Sequence, residues 1–269
     1  MVCPEKILVL GDGKRQKEMR KYWKVRGVTV WNEEDSFSPE ELAAIVFPVK
    51  VTHDTDRYVK LLSKISASCI VCTGILTEEM NRLQEKTGKT IIPLMEMDSV
   101  AIENSIPTAE GILQYVMEHT EKTIHRSDIL VVGYGRVGET LVHRLLALQA
   151  KVTVLTKEEK DIARAKERGA DAREPDSFSP GPYDVVINTA PALTVDKRLM
   201  DFLEGEAVIF DAASAPGGVD REEAEKQEIQ TFHILGIPEK TSPVTAGEVI
   251  CRAVERLLEK TTRRSEEWN

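Results

Sequence analysis

Apolar positions along the chain come in short runs of four or five, each closed by a small or polar residue. A longer stretch with apolar residues at helical spacing usually follows. Ile7-Leu-Val-Leu10 is the first run, and Gly11-Asp-Gly13 turns it into a charged helix through about Arg26. Val28–Val30 is the next strand, Ala43–Phe47 a third, and Tyr58–Ile65 a helix. A strand at Cys69 ends in Thr73-Gly74, and Thr77–Thr87 is a helix stopped by Gly88, a natural C-cap. Thr90–Pro93 is a short strand. Strands and helices alternating at this length predict parallel sheets covered on both faces.

The pattern then changes. Asn104-Ser-Ile-Pro-Thr-Ala-Glu-Gly111 predicts a helix opening at Ser105, a good capping residue, with Pro107 in its first turn. It runs to about His119 on an apolar face of Ala109, Ile112, Leu113, Val116 and Met117. A fresh strand, Asp128–Val132, begins a second unit. A glycine turn, a helix over 136–149, strand Val152–Leu155 and a helix over 158–168 stopped by Gly169 follow. After the breaker-rich loop Asp176–Pro182 come strand Asp184–Asn188, a helix near 196–203, strand Ala207–Asp211 and a short strand at Thr231–Leu235. Val249, Ile250, Ala253, Val254, Leu257 and Leu258 line a last helix, and the polar residues 263–269 are expected to fray.

The expected fold is α/β, with two doubly wound parallel-sheet domains, the second a Rossmann dinucleotide-binding domain. Residues 1–103 form the substrate-side unit, 104–124 an interdomain helix, 125–245 the dinucleotide unit, and 246–269 a helix packing back at the junction. That organisation predicts a cleft enzyme with its substrate between the domains.

Composition narrows the function. The 269 residues suit one or two domains, and 41% hydrophobic content supplies a core. A net charge of −9 and only 5% aromatic residues argue against nucleic-acid binding. No apolar run approaches the ~20 residues of a membrane span, and the start, Met-Val-Cys-Pro-Glu-Lys, runs straight into a strand-like segment, so no secretory leader is expected. Of the four cysteines, Cys3, Cys69, Cys72 and Cys251, the pair Cys69-Ile-Val-Cys72 has CxxC spacing. It falls in a strand, where residues three apart point to opposite faces, so core cysteines in a reducing cytoplasm are expected. No metal-ligand spacing of histidines and no GxSxG or HExxH motif is present.

Gly133-Tyr134-Gly135-Arg136-Val137-Gly138 follows a strand and opens a helix, the context a dinucleotide fingerprint requires. Gly133 permits the tight turn, Gly135 lets backbone approach a pyrophosphate, and Gly138 lets helix and strand pack closely. The following strand ends in Thr156-Lys157 rather than a carboxylate. A hydroxyl plus a cation suits a 2′-phosphate, so NADP is preferred over NAD, although Glu158 and Glu159 stand close enough to bind a ribose instead. Thr189, Ala190 and Pro191 after one strand, and Ala213 and Ser214 after another, are small enough for a nicotinamide-ribose to lie against backbone.

Gly11-Asp12-Gly13-Lys14-Arg15-Gln16 resembles a second nucleotide loop, with Gln16 where the third glycine would be. What remains is a helix N-terminus flanked by Lys14 and Arg15, suited to a carboxylate-bearing substrate.

Taken together, several of these stretches resemble the A subunit of dipicolinate synthase from spore-forming bacteria. They are residues 11–16, 104–111, 133–138, Asn188-Thr-Ala-Pro191, Asp211-Ala-Ala-Ser-Ala-Pro-Gly-Gly218 and Ser242-Pro-Val-Thr-Ala-Gly247. The Asn-Ser-Ile-Pro-Thr-Ala-Glu stretch is the most specific. Val219-Asp220, where threonine is expected, and His233–Pro238 depart from the family pattern. The resemblance implies an NADP- or NAD-dependent oxidation that yields dipicolinate from a dihydro or hydroxy-tetrahydro precursor. It also implies a partner, a flavoprotein-like B subunit, in the mother-cell cytoplasm during sporulation, and leaves a homo-oligomer open. On the substrate side it points to Lys14 and Arg15 as carboxylate anchors, with Asp12 and Gln16 of the same turn. Asn104, Ser105 and Thr108 would be hydrogen-bond donors. Glu110 is a general base or merely a first-turn carboxylate favourable to the helix dipole. Two other classes remain: a different two-domain dehydrogenase of a hydroxy or amino acid, and a nucleotide-binding scaffold inert until its partner docks.

Overall fold

The computed structural model describes residues 6–178, 181–203 and 207–267. The first sheet is built from β1 (Lys6–Val9), α1 (Lys14–Val25), β2 (Thr29–Trp31), β3 (Ala44–Val46), α2 (Val59–Leu62), β4 (Ile70–Thr73), α3 (Glu78–Thr87) and β5 (Ile91–Pro93). Its strands are parallel, in the order β2-β1-β3-β4-β5. The long helix α4 (Asp98–His119) follows. The second sheet is built from β6 (Asp128–Val132), α5 (Arg136–Ala147), β7 (Lys151–Leu155), α6 (Glu159–Glu167), β8 (Asp171–Arg173), β9 (Val185–Asn188), α7 (Lys197–Met200), β10 (Val208–Asp211), α8 (Arg221–Lys226) and β11 (Thr231–His233). It is also parallel, in the order β11-β10-β9-β6-β7-β8. Helices α9 (Ile237–Thr241) and α10 (Pro243–Glu267) end the described chain.

The chain divides into two compact units, one of Met1–Asn104 with Ser242–Asn269, the other of Ser105–Thr241. Alternation along the strands feeds two apolar layers in each. Ile7 and Val9 join Met19, Trp23 and Val249, while Leu8 and Leu10 join Leu62 and Leu83 on the other face. In the second unit Ile129 and Val131 pack with Leu141 and Leu145, and Leu130 and Val132 with Val186 and Leu199. Each such side chain, fully buried, contributes about 1.5–3 kcal/mol. Helix α10 packs on α1. A Cβ at Gly247 would lie 3.2 Å from the Arg15 carbonyl oxygen, and Trp23 Nε1 donates to Glu255 at 3.0 Å.

The boundaries depart from expectation where a local rule yields to packing. Helix α4 starts at Asp98, not at Ser105, so Pro107 lies inside it. An interior proline forfeits the bond to the carbonyl four residues back and costs ~3 kcal/mol, which the buried Val100, Ala109, Ile112 and Val116 on the same helix offset. The expected helix near 196–203 is only α7, capped by Asp196, which accepts from the Leu199 amide at 3.0 Å. A 3-10 turn at Thr55–Tyr58 precedes α2, which stops at Leu62. Strand β8 and helices α8 and α9 are additions. Helix α10 runs to Glu267, into the segment expected to fray; Trp268 and Asn269 lie outside the described residues. So do Cys3 and residues 179–180 of the breaker-rich loop. Cys69 and Cys72 pack into the layers on opposite faces of the first sheet. Burial pushes their thiols up to about 11 and about 12, which leaves them unreactive at neutral pH.

Candidate functional site

In an open parallel sheet, ligands gather beyond the carboxyl ends of the strands, where the strand order reverses. That point lies between β6 and β9 in the second unit and between β1 and β3 in the first.

After β6 the chain turns at Gly133 with φ +92°, a left-handed conformation in which a Cβ would also sit 2.8 Å from Thr189 Oγ1. Gly135 is the N-cap of α5 and has no side chain to satisfy the first helical amides. It is exposed, and a Cβ there would meet no heavy atom within 4 Å. Gly138 is the opposite case: a Cβ would overlap the Gly133 carbonyl oxygen. The helix is therefore pressed onto the turn while its amino end stays open. Thr189 braces the arrangement, its hydroxyl within 3.0 Å of the Val132 carbonyl oxygen and 3.3 Å of that of Gly133. Of the intervening side chains, Arg136 is exposed and Val137 half-buried. Tyr134 turns into the core, and burial raises its phenol above its ordinary value. A helix amino end capped by glycine, with exposed backbone bare of side chains beside it, fits the pyrophosphate of a dinucleotide.

The edge of β7 is more polar than its sequence suggests. Thr156 is buried, and its Oγ1 accepts from the Glu158 amide at 3.4 Å. Lys157, Glu158 and Glu159 are exposed. Register pairs Leu155 with Arg173 of β8, so a second cation, bridged to Asp171 at 2.6 Å, stands beside that strand end. Arg173 was not among the expected site residues because β8 itself was not expected.

The ends of β9 and β10 hold Asn188 and Asp211, both 0% exposed. Asn188 Nδ2 donates to Asp211 Oδ1 at 2.8 Å. Ala213 is buried and Ser214 exposed in the loop after β10; Ala190 is half-buried and Pro191 exposed in the loop after β9. Half-buried His233 on β11 lies 3.2 Å from the Ala213 carbonyl oxygen through Nε2 and meets Arg221 through Nδ1. The signal for Asn188 and Asp211 was in the sequence: each is a polar residue closing an otherwise apolar strand.

In the first unit, Gly11 has φ +88°, and Arg20 donates to the carbonyls of Val9 at 3.2 Å and Gly11 at 2.9 Å. Arg20 also pairs with the exposed Asp12 at 3.3 Å. Lys14, at the start of α1, is exposed; Arg15 and Gln16 are 5% exposed and belong to the packed face. On α4, Asn104 is half-buried and Thr108 buried. Buried Ser105 does not cap the helix: its Oγ lies 2.7 Å from Thr140 Oγ1 on α5. Glu110 is exposed and pairs with Arg144 at 3.4 Å. Among the described residues no group of three or more His, Cys, Asp or Glu could hold a metal ion. No described helix is long and apolar enough to cross a membrane.

Residues 129–180 match the TrkA-N domain family. Over 199 residues, 73% of this chain and 67% of the relative, the sequence is 33% identical to the A subunit of dipicolinate synthase of Bacillus subtilis (strain 168). The crystal structure of the dipicolinate synthase A chain from Bacillus subtilis superposes with a TM-score of 0.85 at 26% identity, covering 98% of this chain and 99% of that one. That of the corresponding protein from Bacillus halodurans gives 0.83 at 28% identity, covering 96% and 99%. The chain belongs to the family of dipicolinate synthase A subunits.

Proposed function

We propose that this chain is the NAD(P)-dependent subunit that forms dipicolinate, pyridine-2,6-dicarboxylate, from a dihydro or hydroxy-tetrahydro precursor. The turn 133–138 carries the reading: in a member of this family, Gly135 leaves the amino end of α5 open while Gly138 holds the helix tight against the turn. The oxidised nicotinamide ring, when bound, supplies the hydride acceptor. The dihydro precursor gives up one hydride and one proton to become aromatic; the hydroxy-tetrahydro precursor loses water as well.

The amides that open α5 take the pyrophosphate. Thr189, Ala190, Pro191, Ala213 and Ser214 offer backbone and small side chains to the nicotinamide end. Lys157 and the hydroxyl of Thr156 take the 2′-phosphate, so NADP is the preferred coenzyme. Exposed Lys14, at the amino end of α1, is the primary carboxylate anchor, and buried Arg15 adds charge behind it. Gln16 and Asp12 shape that turn, Asn104, Ser105 and Thr108 supply hydrogen-bond donors, and Glu110 or a water accepts the proton. A flavoprotein-like B subunit is the partner, and the mother-cell cytoplasm during sporulation is the setting.

Titration calorimetry with NAD⁺ and NADP⁺, followed by dipicolinate absorbance in an assay with each precursor, tests the proposal. The expected result is one nucleotide site per chain, tighter for NADP⁺, and dipicolinate formed with matching coenzyme reduction. Heat from neither coenzyme would overturn the reading. Turnover of a hydroxy or amino acid, with none of either heterocyclic precursor, would move the chain to another substrate class.

A further inference from the structure

The pair at the ends of β9 and β10 is costly for a fold to keep. A carboxylate with no exposure needs its acceptor sites filled, and Asp211 has three donors. They are Asn188 Nδ2 at 2.8 Å and the Ala213 amide at 3.2 Å on Oδ1, and the Gly218 amide at 3.0 Å on Oδ2. Asn188 is equally engaged. Its Oδ1 accepts from the Ala190 amide at 3.2 Å and Thr194 Oγ1 at 3.1 Å, and its Nδ2 also reaches the Ala190 carbonyl oxygen at 3.0 Å. The groups held are the two feet of each loop. Between the feet stand two exposed crests, Pro191–Leu193 and Ser214–Pro216. The loops are also joined directly, because the Gly218 carbonyl accepts from the amides of Thr194 at 3.0 Å and Val195 at 2.9 Å. Gly217, at φ +97°, leaves no room for a Cβ, which would overlap Asp211 Oδ2.

A well-packed apolar pair at two strand ends would hold the sheet as firmly as a buried polar one. What a saturated polar pair adds is one fixed conformation for the backbone above it. We propose that Asn188 and Asp211 are a positioning pair that locks the crests 191–193 and 214–216 into a single platform for the nicotinamide-ribose end of the coenzyme. This rests on the coenzyme reading above. Neither side chain touches the ligand; each acts through the backbone it holds. Thr189 continues the frame to the glycine turn, so the platform and the pyrophosphate cradle share one scaffold.

The test compares a coenzyme with its fragment lacking nicotinamide: NADP⁺ against 2′-phospho-ADP-ribose, and NAD⁺ against ADP-ribose, by calorimetry on the full chain. Asp211→Asn turns an acceptor into a donor facing Asn188 or Gly218. The expected result is fragment affinity within about 2-fold of the wild type and whole-coenzyme affinity down by about 10-fold or more, the scale of one charged hydrogen bond. Equal loss for both ligands, or loss for neither, would overturn the positioning role while leaving the coenzyme reading intact. A wild type that binds no ligand of the four would overturn the coenzyme reading and this inference with it. Should Asp211→Asn fail to fold, half-buried Thr194 carries the test. Thr194→Val should weaken whole-coenzyme binding about 3-fold with the fragment unchanged, and Thr194→Ser should restore it. Identical binding by Thr194→Val and Thr194→Ser would overturn the proposal.

Discussion

The two glycine turns, one in each unit, begin alike and end differently. Gly11 and Gly133 follow a first strand with φ near +90°, and Gly13 and Gly135 cap the next helix without a side-chain hydrogen bond. Five residues after the first glycine stands Gln16 in one turn and Gly138 in the other. Gly138 lets α5 press against the carbonyl of its own turn, whereas a buried glutamine fills that space at α1. The first turn instead sets an exposed lysine at its helix amino end and clamps its carbonyls with Arg20. The pressed helix of the second turn suits the diphosphate cradle proposed for it, while the exposed lysine and the Arg20 clamp of the first turn suit the single carboxylate proposed there.

Substitutions in the two turns should separate these roles. The largest effect is expected for Gly138→Val, whose side chain collides with backbone that cannot move independently. Coenzyme binding should become undetectable by calorimetry, and urea denaturation should show a loss of roughly 3 kcal/mol, at the top of the range for overpacking. Gly135→Val should divide fold from function. Nothing lies within 4 Å of its Cβ position, so the melting temperature should stay within about 2 °C of the wild type while coenzyme affinity falls about 100-fold (~2.8 kcal/mol). Gln16→Gly, the reverse exchange in the first unit, should create no nucleotide site. It should cost at least ~1 kcal/mol in the same denaturation measurement, from helix propensity together with the space the buried side chain leaves. Lys157→Ala should raise the dissociation constant for NADP⁺ about 10-fold and leave that for NAD⁺ nearly unchanged. The smallest effect falls on the first turn: Lys14→Ala should raise the substrate KM about 5-fold with little change in kcat, as loss of uniform binding does.

The same contrast marks what could be read from residues alone. Strands β1, β6, β9 and β10 were legible because each is a short apolar run buried on both faces and closed by a turn residue. The turn at 133–138 was legible because its glycines carry geometric meaning one by one. Strand β8 was hidden because it is an edge of three residues with only Ala172 in the core. Helix α8 was hidden because Arg221-Glu-Glu-Ala-Glu-Lys226 buries Ala224 alone and depends on the Asp220 cap. The start of α4 was misplaced because the proline rule outweighed the apolar spacing that begins at Val100. Among the proposed site residues, Lys14 and Lys157 stand exposed. The burial of Arg15 and the pairing of Ser105 with Thr140 are set by packing partners that spacing does not reveal. The Asn188–Asp211 pair was visible as two polar strand ends, but their joining depends on β9 and β10 being neighbours in register.

Calorimetric titration of NADP⁺ and NAD⁺ into the wild-type chain and into Gly135→Val tests the role of the second turn most directly. Saturable binding at one site in the wild type, lost in a variant that melts normally, is the predicted result. Equal binding by the two proteins, or heat from neither coenzyme in the wild type, would contradict it.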